Sequence, residues 1–293
     1  MSAPIAKVAG VAGWPIHHSL SPLLHTFWLR NLGISGAYIP FAVRPDEALY
    51  AFKTLKRTSI AGLNVTLPLK GIAARAADSL TPDAEKLGVV NCLYVRGGEL
   101  IGHNTDMEGF TAPLLDRVSI TNLVNRPAVL IGAGGASRAV IGALLAIGVQ
   151  EIRLLNRTDQ KAIDMAEIIA IPSLYARSWV DRDRALAGAG LIINASAGGM
   201  SGKPALDISL DLADADALVY DLIYTPLITP LMRSAQRRGL QTLGGLEMLI
   251  AQARPSFKAF YGVLPPSHTI ADPRPVLLQR LSEPRNDSPR LSP

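Results

Sequence analysis

The sequence predicts an α/β protein built as two domains, and three observations carry that expectation. Short apolar extended runs alternate with amphipathic stretches, first over residues 6–66 and again from Pro127 to residue 238. This is the rhythm of parallel-type sheets covered by helices. The length, 293 residues, suits two ordinary domains, each with a core of its own. Apolar residues make up 48% of the chain and charged residues 18%, too apolar a balance for a solvated coil.

Composition removes several function classes. The one cysteine, Cys92, excludes a disulfide framework and any cysteine-cluster metal site. His17, His18 and His25 lack carboxylate or cysteine partners at ligand spacing, so they read as packing or surface residues, and no metal is expected. The longest apolar stretch, Ala139–Val149, falls far short of the roughly 20 residues of a membrane span. Met1–Ala6 is too short for a signal peptide, so a soluble, cytoplasmic protein is expected, as monomer or homodimer. The net charge of +5 raises the question of nucleic acid. Its basic residues, such as Lys53, Lys56 and Arg57, sit at helical spacing as solvated faces do, and aromatics for stacking amount to only 5%. Small anionic ligands are the more modest inference.

The elements follow in order. Residues 6–12 read as a strand, 22–31 as a helix, 36–43 as a strand, 46–55 as a helix and 60–66 as a third strand. Residues 89–95 and 100–104 flank Arg96-Gly97-Gly98-Glu99, a hairpin signal by its paired glycines. A helix over 107–118 is entered from Asp106. The second series has strands at 128–131, 151–155, 191–194 and 217–222, with helices at 136–147, 160–169 and 229–238. A last long helix, 246–261, contains Pro255, which should kink or end it. A short helix follows Pro265-Pro266, and the proline-rich tail from Ser282 is expected to be disordered. The expected division is residues 1–106, 107–240 and 241–281, with the C-terminal helices returning to the first domain and 282–293 as the tail.

Strand 128–131 runs into Gly132-Ala133-Gly134-Gly135-Ala136-Ser137-Arg138 and then an apolar helix. Glycines there let the backbone approach a pyrophosphate, and the helix N-terminus offers unpaired N–H groups. In a strand–turn–helix setting this is the Rossmann dinucleotide fingerprint, although a plain βα turn uses glycines too. The next strand ends in Asn156-Arg157-Thr158, with Lys161 beyond. Two cations, and no carboxylate where NAD enzymes hold the ribose hydroxyl, suit a 2′-phosphate and hence NADP. Asp159 counts slightly against it, and both cations also read as ordinary surface charges.

Polar residues gather at loop positions of the first domain. Ser19 and Ser21 precede a helix, with Ser21 before Pro22 as a standard N-cap. Two hydroxyls at a helix N-terminus also make a cradle for a carboxylate. Thr66 and Lys70 follow the third strand, where open parallel sheets bind ligands. Asn91 starts the hairpin and Asp106 follows it. Each has a plain explanation as well: Asp106 a helix cap, Lys70 an exposed lysine, Asn91 a turn residue.

Together these segments resemble the shikimate dehydrogenase family. They are Ser19-Leu20-Ser21-Pro22, Asn64-Val65-Thr66-Leu67-Pro68-Leu69-Lys70, Val90-Asn91, Asn104-Thr105-Asp106, the glycine turn, Asn156-Arg157-Thr158, Asp221 to Pro226, and Gly245-Leu246 through Gln252. They stand in the family's order and spacing from about residue 8 to 264. The resemblance implies NADP-dependent reduction of 3-dehydroshikimate to shikimate, between a substrate domain and a Rossmann domain. By motif, Ser19 and Ser21 would bind the carboxylate; Thr66, Asn91, Asp106 and Gln252 would bind the ring hydroxyls, and Tyr224 would line the cleft. Lys70 would be the acid/base, beside Asp106. Gly132, Ala133, Gly134, Gly135 and Ala136 would cradle the pyrophosphate, and Asn156, Arg157, Thr158 and Lys161 the 2′-phosphate. Leu222 and Gly245 would lie against the nicotinamide.

Several positions depart from the pattern: His103 for the usual aspartate, Met107 for a small residue, Glu247 for a glycine and Lys161 for an arginine. The alternatives they leave open are a quinate/shikimate or aminoshikimate-type paralogue, or a sensor that binds without turnover. Ser21, where quinate-active relatives often carry threonine, leans toward shikimate.

Overall fold

The computed structural model describes residues 6–266 and 271–283. Strands β1 (Lys7–Gly13), β2 (Gly36–Ala42), β3 (Ile60–Val65), β4 (Ser79–Leu80), β5 (Cys92–Arg96) and β6 (Glu99–His103) form one sheet in the order β2-β1-β3-β5-β6-β4. β1 pairs in parallel with β2 and β3, whereas β5 runs antiparallel to both β3 and β6. The first sheet is therefore mixed rather than parallel throughout. The cause is local: Gly97 and Gly98 both have positive φ, 62° and 85°, and turn the chain directly back on itself.

The second sheet contains β7 (Ala128–Ile131), β8 (Ile152–Leu155), β9 (Leu174–Arg177), β10 (Leu191–Asn194), β11 (Leu218–Asp221) and β12 (Gln241–Gly244). All its pairings are parallel, in the order β12-β11-β10-β7-β8-β9. Four of these strands are buried along their whole length, or all but one residue, as strands covered on both faces are. The chain winds outward from β7 in one direction and then from β10 in the other. The crevice between their carboxyl ends is the switch point where doubly wound sheets take ligands.

Helices α1 (Ser21–Asn31), α2 (Ala48–Thr54), α3 (Lys70–Ala76) and α4 (Pro82–Leu87) belong with the first sheet. α5 (Asp106–Leu115) leads through α6 (Ile120–Val124) into the second, which carries α7 (Gly135–Ile147), α8 (Asp159–Ile169) and α9 (Pro230–Arg237). α10 (Gly245–Tyr261) and α11 (Arg274–Ser282) then return to the first sheet. Ile250, Phe257 and Phe260 of α10 and Leu277 of α11 share one core with Val11, Leu24, Trp28 and Tyr38. His25 is fully buried in that core, stacked on Tyr38 with ring centroids 3.9 Å apart.

Two local expectations are corrected. α10 passes through Pro255 and continues to Tyr261. Proline in a helix costs about 3 kcal/mol, but Phe257, Phe260 and Tyr261 beyond it are 0%, 1% and 6% exposed. Burying each contributes about 1.5–3 kcal/mol, so packing wins. Ser21 is the first residue of α1 rather than its cap; the cap position is Leu20, and Ser19 Oγ accepts from the Ser21 N–H at 3.3 Å. The tail expected to be disordered lies outside the described residues beyond Glu283.

Candidate active site

The first-domain residues converge at the carboxyl end of β3. Thr66 follows β3 directly, Lys70 opens α3, Asn91 precedes β5 and Asp106 opens α5. Lys70 Nζ lies 2.5 Å from Asp106 Oδ2, and the two side chains are 14% and 9% exposed. Asn91 Nδ2 donates to the other carboxylate oxygen, Oδ1, at 2.8 Å. The carboxylate thus faces two donors instead of capping its helix, which corrects the plain reading of Asp106. Asn91 is itself fixed, since its Oδ1 accepts from the Thr105 N–H at 2.7 Å.

A buried polar layer supports this pair. Asn64 Nδ2 donates to the Asn91 carbonyl at 3.2 Å and to Ser256 Oγ at 2.7 Å, while its Oδ1 accepts from Tyr38 Oη at 2.8 Å. Thr105 Oγ1 reaches Gln252 Oε1 at 3.3 Å, bringing α10 to the site. Thr105 lay within the Asn104-Thr105-Asp106 segment without a role assigned to it, whereas Ser256 and Tyr38 carried no signal in the sequence. Ser256 sits one helical turn after Gln252, the only pattern that could have singled it out. Tyr224 is half-buried against the same core as α10.

The glycine turn lies at the carboxyl end of β7. Gly132 has φ +113°, and its carbonyl accepts from Ser137 Oγ at 2.7 Å. At Gly134 neither φ (−108°) nor packing demands glycine: a Cβ there would meet no atom of the described residues within 4 Å. The space is open, as a site for a pyrophosphate must be. Gly135 and Ala136 open α7, where N–H groups have no intrahelical partner. Asn156 Oδ1 accepts from the Ala133 N–H at 3.2 Å, joining this turn to the end of β8. Arg157, Thr158 and Lys161 are exposed beside it. Asp159, two residues beyond Arg157, is engaged elsewhere. It accepts from Ser178 Oγ at 2.6 Å and the Trp179 N–H at 2.8 Å, bonds that hold it below the usual carboxylate range. Arg157 and Lys161 keep their charge available, and the residues present fit NADP.

Three of the four departures from the family pattern, Glu247, Met107 and His103, have structural roles. Glu247 receives a bidentate contact from Arg274, at 3.0 and 2.6 Å, which fastens α11 to α10. Met107 packs among Leu87, Val89 and Ala139, seating α5 against α7. His103 Nδ1 bonds Thr81 Oγ1 at 2.9 Å, and burial lowers its pKa.

A glycine turn on an all-parallel sheet, opposite a lysine–aspartate pair on a second sheet, defines a two-domain dinucleotide-dependent oxidoreductase. Two family models match: residues 11–93 fit the shikimate dehydrogenase substrate binding domain, and residues 115–201 the shikimate / quinate 5-dehydrogenase model. The chain is 44% identical over 265 residues to a shikimate dehydrogenase (NADP(+)) of Rhodospirillum rubrum, covering 89% of this chain and 93% of that one. It is 42% identical over 261 residues to the protein of the same name from Paramagnetospirillum magneticum, covering 89% and 94%. Its fold is similar to a shikimate 5-dehydrogenase of Thermus thermophilus in complex with NADP(H) and shikimate. That match has a TM-score of 0.79 and 33% identity, over 94% of this chain and 99% of that one. The chain belongs to the shikimate dehydrogenase family.

Proposed function

We propose that this protein catalyses the reversible, NADP-dependent reduction of 3-dehydroshikimate to shikimate, with Lys70 and Asp106 as its acid–base pair. The observation that carries the reading is the buried Lys70–Asp106 pair, held by Asn91 at the carboxyl end of β3. The open cradle at Gly134 belongs to the same reading. The names of the relatives above support it, and residues 1–106, 107–240 and 241–281 serve as substrate domain, dinucleotide domain and returning helices.

NADPH, when bound, supplies the hydride that reaches the ketone carbon. The carbonyl oxygen then develops alkoxide charge. Lys70 Nζ stabilises that charge and delivers the proton, and in the oxidising direction it receives one. Asp106 orients the ammonium and, with Asn91, Thr66 and Gln252, holds the ring hydroxyls. Ser19 and Ser21 bind the carboxylate at the start of α1. Tyr224 lines the substrate cleft. Gly132 through Ala136 hold the pyrophosphate, and Asn156, Arg157, Thr158 and Lys161 hold the 2′-phosphate. Leu222 and Gly245 face the nicotinamide.

The test is initial-rate absorbance at the nicotinamide band, with shikimate, quinate and an aminoshikimate analogue, each with NADP and NAD. The expected result is rapid reduction of NADP by shikimate. Tight shikimate binding with reduction of neither cofactor would overturn the enzyme reading in favour of a sensor.

A further inference from the structure

Asp221 ends β11 at the carboxyl edge of the second sheet and is fully buried. Its Oδ1 accepts from Asn194 Nδ2 at 3.0 Å and from the Ile223 N–H at 3.1 Å, and its Oδ2 from Thr229 Oγ1 at 2.6 Å. Each partner organises a different segment. Asn194 Oδ1 accepts from the Ser196 N–H at 3.0 Å and from Ser196 Oγ at 2.7 Å, while its Nδ2 also reaches the Gly198 carbonyl at 3.1 Å. Thr229 Oγ1 caps α9 by accepting from the Met232 N–H at 3.2 Å. One carboxylate thus ties together the turn after β10, the exit of β11 and the start of α9.

Leu222 lies in the middle of this network. Its N–H donates to the Asn194 carbonyl at 2.9 Å, and the Gly245 N–H donates to the Ile223 carbonyl at 3.2 Å. A Cβ at Gly245 would lie 2.1 Å from the Leu222 carbonyl oxygen, so the two backbones touch. A buried carboxylate is a poor way to gain stability, since apolar side chains of similar volume often serve as well or better. Burial indeed raises the Asp221 pKa, against the effect of its three donors. What the carboxylate does provide is a fixed geometry for three loops at once.

We infer that Asp221 is a positioning residue for hydride transfer, fixing the Leu222 and Gly245 backbone through Asn194, Ile223 and Thr229. The inference rests on the reading above that Leu222 and Gly245 face the nicotinamide. A reacting group displaced by about 1 Å loses up to about 100-fold in rate. The 2′-phosphate end of the dinucleotide is held elsewhere, by Asn156, Arg157, Thr158 and Lys161; the network meets the glycine turn where Gly132 packs on Ala195 and Ser196.

The experiment compares Asp221→Asn, Thr229→Val and the conservative Thr229→Ser. Three quantities are read: kcat, the primary isotope effect with 4-deuterated NADPH, and affinity for adenosine 2′,5′-bisphosphate, which has no nicotinamide. Asp221→Asn and Thr229→Val should lower kcat by about tenfold or more. They should also raise the isotope effect and leave bisphosphate affinity within about twofold. Thr229→Ser should keep kcat and the isotope effect near wild type. A merely structural role would lower the melting temperature and move neither kcat nor the isotope effect of the folded protein. That result, or a parallel loss of bisphosphate affinity, overturns the proposal. If Asp221→Asn does not fold, Thr229→Val decides alone. An Arg157→Ala variant with undiminished bisphosphate binding would instead take down the cofactor placement, and this inference with it.

Discussion

Replacing Lys70 with methionine removes the ammonium and keeps most of the stem. The structure sets two separate consequences. Asp106 Oδ2 loses its partner at 2.5 Å, while Oδ1 keeps Asn91 Nδ2 at 2.8 Å. A carboxylate 9% exposed and half deprived of donors forfeits a charged hydrogen bond worth about 1.5–3 kcal/mol. At about 2–4 °C per kcal/mol, the melting temperature should fall by roughly 3–12 °C. Turnover should fall further, by about 10²–10⁴, as for loss of a general acid–base group, with shikimate affinity changed only several-fold. Pairing it with Asp106→Asn separates the two effects. The double variant leaves no buried charge, so it should regain stability relative to Lys70→Met without regaining turnover. The assay is initial rate at the nicotinamide band beside thermal unfolding of all four proteins. A Lys70→Met enzyme with near-normal kcat and a greatly raised KM for shikimate would refute the acid–base role and leave Lys70 as a binding residue.

Three further outcomes are expected. Arg157→Ala should raise KM for NADP far more than for NAD, through loss of a charged hydrogen bond of about 1.5–3 kcal/mol; steady-state kinetics with both cofactors checks this, and unchanged discrimination would misplace the phosphate pocket. Gly109→Ala puts a Cβ 2.4 Å from that of Gln252, which forces α5 and α10 apart at a cost of about 1–3 kcal/mol. KM for shikimate should rise by about fivefold or more with KM for NADP little changed, because Gln252 withdraws from Thr105. His25 is buried without a hydrogen-bond partner among the described residues, and its pKa is lowered to about 3. The unfolded chain binds that proton near pH 6.5, so stability falls as pH drops below 6.5 toward 3, by about 2 kcal/mol between pH 7.5 and 5. Urea unfolding of His25→Phe at both values should show a shallower loss than the parent, and an equal loss would contradict it.

Much of the architecture was legible because it is written in short-range pattern. The alternation of extended and helical periods located β1–β3, β7, β8, β10 and most helices to within a residue or two. The glycines at 97 and 98 marked the hairpin that makes the first sheet mixed. The elements β4, α3, α4 and α6 were not marked, and β9 and β12, though as long as β7 and β8, are edge strands only partly buried and carry no continuous apolar run. The site residues themselves were found through eight motif segments rather than through spacing. Spacing alone offered Asp106 as a cap and Lys70 as an exposed lysine with equal force.

The sequence by itself determined the two α/β series, the strand–glycine–helix turn and the polar loop residues, since these depend on neighbours a few positions apart. Only the tertiary structure decided that Asp106 spends its carboxylate on Lys70, 36 residues away. It likewise decided that Asp159 turns from Arg157 to Ser178, that α10 runs on through Pro255, and that Asp221 gathers three loops. In each case a local preference gives way to a distant arrangement. The choice is made by burial and by partners that chain folding brings within 3 Å, and no local spacing records them.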